Sequence, residues 1–433
     1  MNDVAIGIVA LLILMLVFLT GIELSFGMAL IGLIGYTYLT SFSAACNLLV
    51  KDFFDTFTSY SLTVIPLFVL MGQIAYNSGT ASRLYQTAHK FVGHVPGGLA
   101  ITTVIGATLF KAMCGSTIAT VATFSSIAIP QMQNYGYSKK LSTGIVASVG
   151  TLGVIFPPSI VLIIYGIITE QSIGELFLAG FLPGLLISLF FSLIAYTWAR
   201  INPAIAPRAE ASSWPERIRS LPELLWVVII FGIVIGGMMF GFFTPTEAGT
   251  VGTLAVLVLA VIRERFALSK LKKSIGESLR IGCMVLMLLA GSAVLGHFLT
   301  ITEIPLIAAD WTASLPFDRN LIMVVIMLIY LLGGSFIDDI AFMMIATPIF
   351  YPVIIKLGYD PIWFGIMVGI TLMVGAIIPP VAMCVFVVKQ ISGESFKVVY
   401  SGVLPFLIGL FVCAALLFLF PQIATFLPSL LMR

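Results

Sequence analysis

Apolar runs of about 18 residues or more, the length that crosses a bilayer, follow one another along the whole chain with short polar intervals between them. The pattern predicts spans over 4–21, 24–42, 61–78, 141–170, 174–200, 222–243, 246–263, 281–301, 361–391 and 398–427. Segments 97–132 and 320–356 differ. Each has two shorter apolar arms around a polar tip, CGSTIAT (114–120) and GGSFIDD (333–339), which predicts re-entrant hairpins that enter and leave on one side. Residues 46–58, 80–94, 266–280 and 304–317 are amphipathic and are expected at the interfaces. The interval 201–221 is the longest polar stretch and is expected as a cytoplasmic loop.

Two of these spans contain a break. GVIFPPSIVLI (153–163) places adjacent prolines inside an apolar run, and Pro379-Pro380 do the same within 361–391. Proline removes a backbone donor and clashes with the preceding turn, so both helices should be interrupted. Broken backbone is tolerated at membrane depth where it lines a cavity or is buried in protein.

The breaks belong to an internal repeat. A shift of 222 residues aligns Pro130 with Pro352, Gly153 with Gly375, Pro157-Pro158 with Pro379-Pro380, and Gly180 and Pro183 with Gly402 and Pro405. Upstream the shift is 219, matching Gly72 with Gly291 and Gly115-Ser116 with Gly334-Ser335. The copies cover 61–200 and 281–427. Five crossings separate residues 61 and 281, and an odd number inverts the second copy. Inverted repeats with discontinuous helices mark secondary transporters.

Composition and charge fit this picture. Hydrophobic residues make up 60% and charged residues 9%, against about 25% charged in soluble domains. Of 21 lysines and arginines, 16 fall on one side of the predicted spans. The basic side is the cytoplasm, so both termini are expected outside. The first span lacks a basic flank and is expected to be a retained helix rather than a signal peptide. Five cysteines are scattered without CxxC spacing, and His89, His94 and His297 form no transition-metal cluster. No Walker A, GxSxG or HExxH pattern is present, and nothing points to nucleic acid.

Each polar tip pairs with one break. Freed carbonyls are hard ligands for a small cation, and helix N-termini favour a carboxylate. The first copy offers Ser116 and Thr117 with carbonyls around Gly153, Phe156 and Pro158. The second offers Ser335 and Asp338 with carbonyls around Gly375, Ile378 and Pro380. Asp338 and Asp339 stand in an apolar region, where carboxylates are costly and usually functional. One is suited to a cation site and the other to capping a helix. Lys111 precedes the first tip and is a candidate for attracting an anionic substrate. In GFFTPTEAGT (241–250), Pro245, Thr246 and Glu247 look like a helix start, with Glu23 a loose counterpart.

The stretches CGSTIATVATFSSIAIPQM, GTLGVIFPPSIVLI, FTPTEAG and LGGSFIDDIAFMMIATPIFYPV together resemble the large membrane subunit of tripartite ATP-independent periplasmic (TRAP) transporters, over essentially the whole chain. The resemblance implies an all-α polytopic protein of the ion-transporter superfamily, a single integral membrane domain working as an elevator in the bacterial inner membrane. It implies Na+ coupling, a periplasmic substrate-binding protein and a carboxylate solute. The chain lacks the extra N-terminal helices of fused versions, so the small membrane subunit is expected as a separate chain. The sodium sites would comprise Ser116, Thr117, Gly153, Phe156 and Pro158, and Gly334, Asp338, Gly375, Ile378 and Pro380. Lys111, Ser335 and Asp339 are the substrate candidates. A stand-alone ion-coupled carboxylate symporter without a binding protein is the alternative. An intramembrane enzyme is disfavoured by the few histidines.

Overall fold

The computed structural model describes residues 3–264 and 266–432 and, over these, is helical without strands. The chain opens with α1 (Asp3–Leu19), α2 (Leu24–Leu39) and the amphipathic α3 (Phe42–Thr58). A 3-10 turn at Tyr60–Thr63 leads into α4 (Val64–Ser78), and α5 (Thr80–Val92) follows. The first hairpin is α6 (Gly98–Lys111) and α7 (Thr117–Asn134). The first broken span is α8 (Lys139–Thr151), a 3-10 turn at Leu152–Val154 and α9 (Ile160–Ile168). It is closed by α10 (Ile173–Ile201). Next come α11 (Trp214–Met239), α12 (Pro245–Glu264), α13 (Leu268–Ile301) and α14 (Ile304–Ser314). The second hairpin is α15 (Arg319–Phe336) and α16 (Asp339–Lys356), and the second broken span is α17 (Pro361–Gly375) and α18 (Met383–Ser392). The chain closes with α19 (Phe396–Leu419) and α20 (Gln422–Leu431).

Among the described residues eight helices are long and apolar enough to cross a membrane, both arms of the second hairpin included. Leu12, Leu16, Ile34, Val258, Leu328 and Ile408 are exposed on their surfaces, as lipid-facing positions must be. Both double-proline segments interrupt their helices, and both Pro-Pro bonds are cis.

Two expected boundaries are corrected. Residues 266–280 are not a separate interfacial helix, because α13 runs unbroken for 34 residues, about 51 Å at 1.5 Å per residue. No proline interrupts it, and its glycines do not suffice to end it. Conversely, 398–427 is two helices, split at Phe420-Pro421, since the residue before a proline is pushed out of the helical region. The interval 201–221 holds a 3-10 turn at Pro203–Ile205 and the first turns of α11. Arg265 and Arg433, two of the 21 lysines and arginines, lie outside the described residues. At α12, Thr244 N–H donates to Glu247 Oε2 at 2.8 Å while Glu247 N–H donates to Thr244 Oγ1 at 3.3 Å, a reciprocal capping box.

Packing divides the helices into two groups. In one, α13 lies against α2 and α4, α4 against α12, α12 against α11, and α2 against α1. In the other, hairpins and broken spans interlock crosswise: α9 packs on α16 and α18 on α7, while α8 packs on α19 and α17 on α10. Each half's broken span therefore completes the other half's hairpin. Tyr165 on α9 donates to the Pro361 carbonyl at 2.7 Å, and Trp363 donates to the Leu417 carbonyl at 2.8 Å. The amphipathic α3 is tied to α13 by Asp52 Oδ2 and His297 Nδ1, 2.9 Å apart. Burial pushes the Asp52 carboxyl above its usual range, and His297 opposes that shift.

The α8–α19 crossing brings two backbones together at glycines. A Cβ at Gly402 would fall on the Lys140 carbonyl, and one at Gly144 on the Gly402 carbonyl. Backbone cannot move aside as a side chain can. Gly402→Ala should lower stability by about 1–3 kcal/mol. Gly232→Ala, at a helix position with open space, should be neutral or stabilising by up to about 1 kcal/mol. Thermal unfolding of the two purified variants checks this contrast.

Candidate functional site

Four helices begin around one cavity of about 380 Å³. Its lining includes Ser116 and Thr117 at the start of α7, Ile160 and Val161 at the start of α9, Asp338 to Ile340 at the start of α16, and Met383 at the start of α18. Both hairpin tips and both helix restarts therefore meet at the same place. Helix N-termini present unpaired N–H groups and partial positive charge, so their convergence favours an anion.

The caps follow from local sequence. Ser116 Oγ accepts from Ala119 N–H at 3.3 Å, and Ser159 Oγ accepts from Leu162 N–H at 3.3 Å. Asp338 Oδ1 accepts from Ile340 N–H at 3.1 Å and Ala341 N–H at 3.4 Å. The fourth restart has no side-chain cap: Ala382 occupies the left-handed region at φ 49°.

The first tip lies against the middle of α4, where a Cβ at Gly72 would come 3.1 Å from Cys114 Sγ. The first break meets this tip. A Cβ at Gly115 would approach the Pro158 carbonyl oxygen to 2.6 Å, and one at Gly153 would lie 3.2 Å from Thr117 N. Phe156 sends its ring into a cluster with Phe181 and Phe231, so only its carbonyl is available to the junction. Lys111 is completely buried and does not line the cavity; its ammonium donates to the Ser116 carbonyl at 2.9 Å.

The second tip meets its break backbone to backbone. A Cβ at Gly375 would lie 3.0 Å from both the Gly334 carbonyl oxygen and Ser335 N. Val381, just past Pro380, donates to the Ser335 carbonyl at 3.1 Å. Ser335 is buried, with its hydroxyl turned back onto the Leu332 carbonyl at 2.7 Å. Asp338 and Asp339 are partly exposed to the cavity. Ile378 lies in the turn after Gly375, with its N–H bonded to the Val374 carbonyl at 3.1 Å.

The opposite wall is missing from the sequence-level site. It comes from α4 (Gln73 and Tyr76) and from one face of α13 (Glu277, Arg280, Ile281, Met284 and Val285). Those α13 positions recur at the spacing of a single helical face. A span beginning at residue 281 leaves out the first half of that face, Arg280 included. Asn77 donates to Ser274 Oγ at 3.0 Å and to Glu277 Oε2 at 3.3 Å, and Lys273 lies 3.8 Å from Glu277. Glu277 is thus engaged. Arg280 is exposed to the cavity and makes no ion pair among the described residues.

Residues 10–423 match the family model described as tripartite ATP-independent periplasmic transporter, DctM component. The chain is 37% identical over 380 residues to the C4-dicarboxylate TRAP transporter large permease protein DctM of Pseudomonas aeruginosa, covering 87% of this chain and 88% of that protein. It is 32% identical to the ectoine large permease TeaC of Halomonas elongata, covering 96% and 97%. It is 30% identical to the sialic acid large permease SiaM of Vibrio cholerae, covering 95% of each. In fold it is similar to the Alcanivorax borkumensis YdaH transporter, with a TM-score of 0.57, 13% identity and coverage of 87% and 88%.

Cysteines introduced along the cavity should separate from those behind it. Ile118 is exposed on the lining, and Cys114 is buried behind the same tip. With the exposed Cys283 replaced by serine, Ile118→Cys should react with a small water-soluble maleimide at least tenfold faster than the native Cys114. Equal labelling would show that no such water-filled space exists.

Proposed function

The chain belongs to the DctM family of tripartite ATP-independent periplasmic transporters and is a multi-pass membrane transport subunit rather than an enzyme; from that premise we propose that it imports a carboxylate-bearing solute, driven by sodium and supplied by a periplasmic binding protein. The observation that carries this reading is the single cavity on which both tips, both restarts and Arg280 converge. A chain of this kind would sit in the bacterial inner membrane with both termini periplasmic, beside a separate small membrane subunit.

Arg280 supplies the charge for the solute. It is fixed on a long unbroken helix, makes no ion pair among the described residues, and has a fork geometry suited to two carboxylate oxygens. The four helix N-termini opposite it add to the attraction. C4-dicarboxylates are the first solutes to test, because they are named for a relative at 37% identity. Sodium, as co-substrate, is assigned to the second junction, where Asp338 stands beside the backbone of Gly334, Gly375, Ile378 and Pro380. Ser116, Thr117, Gly153, Phe156 and Pro158 form the equivalent junction in the first repeat.

The direction of opening follows from where the wall residues lie. Gln73 and Tyr76 are on the half of α4 that leads to Arg83 and Lys90. Glu277 to Val285 are on the half of α13 that follows Lys270, Lys272 and Lys273. Both halves lead to the basic side, which supports an inward-facing state. In the elevator reading, the hairpins and broken spans of the two repeats move together against the α2–α13–α4–α12 group.

Uptake of labelled succinate by proteoliposomes containing the chain, its small subunit and its binding protein tests the reading. Uptake should require an inward sodium gradient and the binding protein. Arg280→Ala should raise the half-saturating concentration at least tenfold, equivalent to about 1.4 kcal/mol. Asp338→Asn, which keeps the cap and removes the charge, should abolish the sodium dependence. The same rate without sodium would overturn the coupling, and the same rate without the binding protein would point to a stand-alone symporter.

A further inference from the structure

The two junctions are not chemically alike. In the second, nothing separates the break from the tip: a Cβ at Gly375 would meet the Gly334 carbonyl directly. In the first, the corresponding atom at Gly153 would meet the Nζ and Cε of Lys111. The ammonium is inserted between tip and break, at the position of the first cation site. The 219-residue shift pairs Lys111 with Tyr330, whose hydroxyl lies 3.1 Å from Thr347 Oγ1 and is engaged away from the tip.

We infer that the ammonium of Lys111 takes the place of a sodium ion at the first hairpin–break junction, so that the chain binds sodium only at the second. This rests on the sodium reading given above. The backbone supplies the field. The Ser116 carbonyl accepts from Lys111 Nζ at 2.9 Å, from Thr120 N–H at 3.2 Å and from Thr120 Oγ1 at 3.0 Å. A carbonyl with that many donors has little left for a free ion. The charged groups fit the same account. The titratable side chains that act electrostatically on the ammonium are the Cys114 and Cys384 thiols, and Lys111 makes no ion pair among the described residues. A lysine serving only to cap the C-terminus of α6 would run its stem to water; this one is 0% exposed. Two like charges at one junction would repel strongly in so enclosed a place, so a bound sodium and this ammonium exclude each other. The second junction has the opposite charge, with Asp338 and Asp339 and, among the described residues, no lysine or arginine inserted between tip and break.

The consequence is a fixed positive charge that travels with the first hairpin throughout the cycle, holding tip and break together without an ion. One sodium fewer would be carried per turnover than two equivalent sites would carry. Equilibrium binding of radiolabelled sodium to the full chain, purified with its small subunit in lipid nanodiscs, tests this. Wild type should bind one ion per chain, Asp338→Asn none, and Lys111→Ala two, the gained ion being a result that misfolding cannot imitate. If Lys111→Ala fails to fold, the wild-type and Asp338→Asn values decide. Two ions in wild type overturns the Lys111 assignment and leaves sodium coupling standing. One ion in both wild type and Lys111→Ala also overturns it. No ion on any preparation overturns the coupling reading, and the inference with it.

Discussion

A bilayer offers nothing to hydrogen-bond an interrupted helix, and each exposed backbone group there costs several kcal/mol. That constraint organises the whole molecule. Two double prolines break two spans, and each break lies against the polar tip of a hairpin. The tips need caps, so serine and aspartate stand at their helix starts. The breaks need enclosure, so each broken span is embraced by elements of both halves. A cavity with freed carbonyls and helix N-termini around it is what remains when these requirements are met together, and it is the cavity proposed above as the transport site.

The halves share a backbone plan and differ in charge. Gly153 and Gly375, and the paired prolines, fix the same path twice. Lys111 against Tyr330 and Thr117 against the Asp338-Asp339 pair then give each junction its own chemistry. Duplication sets geometry, and on the reading proposed above a handful of differences at the tips decides which cation each junction would hold.

Much of this was legible in the sequence because glycine and proline speak about backbone directly. The two breaks, both hairpins and the helix start at Pro245 follow from single residues whose conformational limits are strict. The long α13 was not legible, since its polar first third reads like an interfacial helix and nothing in one sequence says that it continues into the next span. A helix taken to stop there leaves Arg280, Glu277 and the scaffold wall out of the site. The break at Phe420-Pro421 was overlooked because a single proline inside an apolar run is often tolerated as a kink, as at Pro183 and Pro405. The inward burial of Lys111 is a tertiary fact: a lysine near a helix end is equally compatible with a stem that reaches water.

The central claim is that hairpins and broken spans move as a body past the α4–α13 wall. Spin labels at Tyr135, exposed beyond the first hairpin, and at Ile275, exposed on α13, place one probe on each group. Their separation, measured by pulsed electron resonance in nanodiscs with and without sodium and solute, should show two populations whose ratio changes with sodium. One unchanging distance in all conditions would contradict the account.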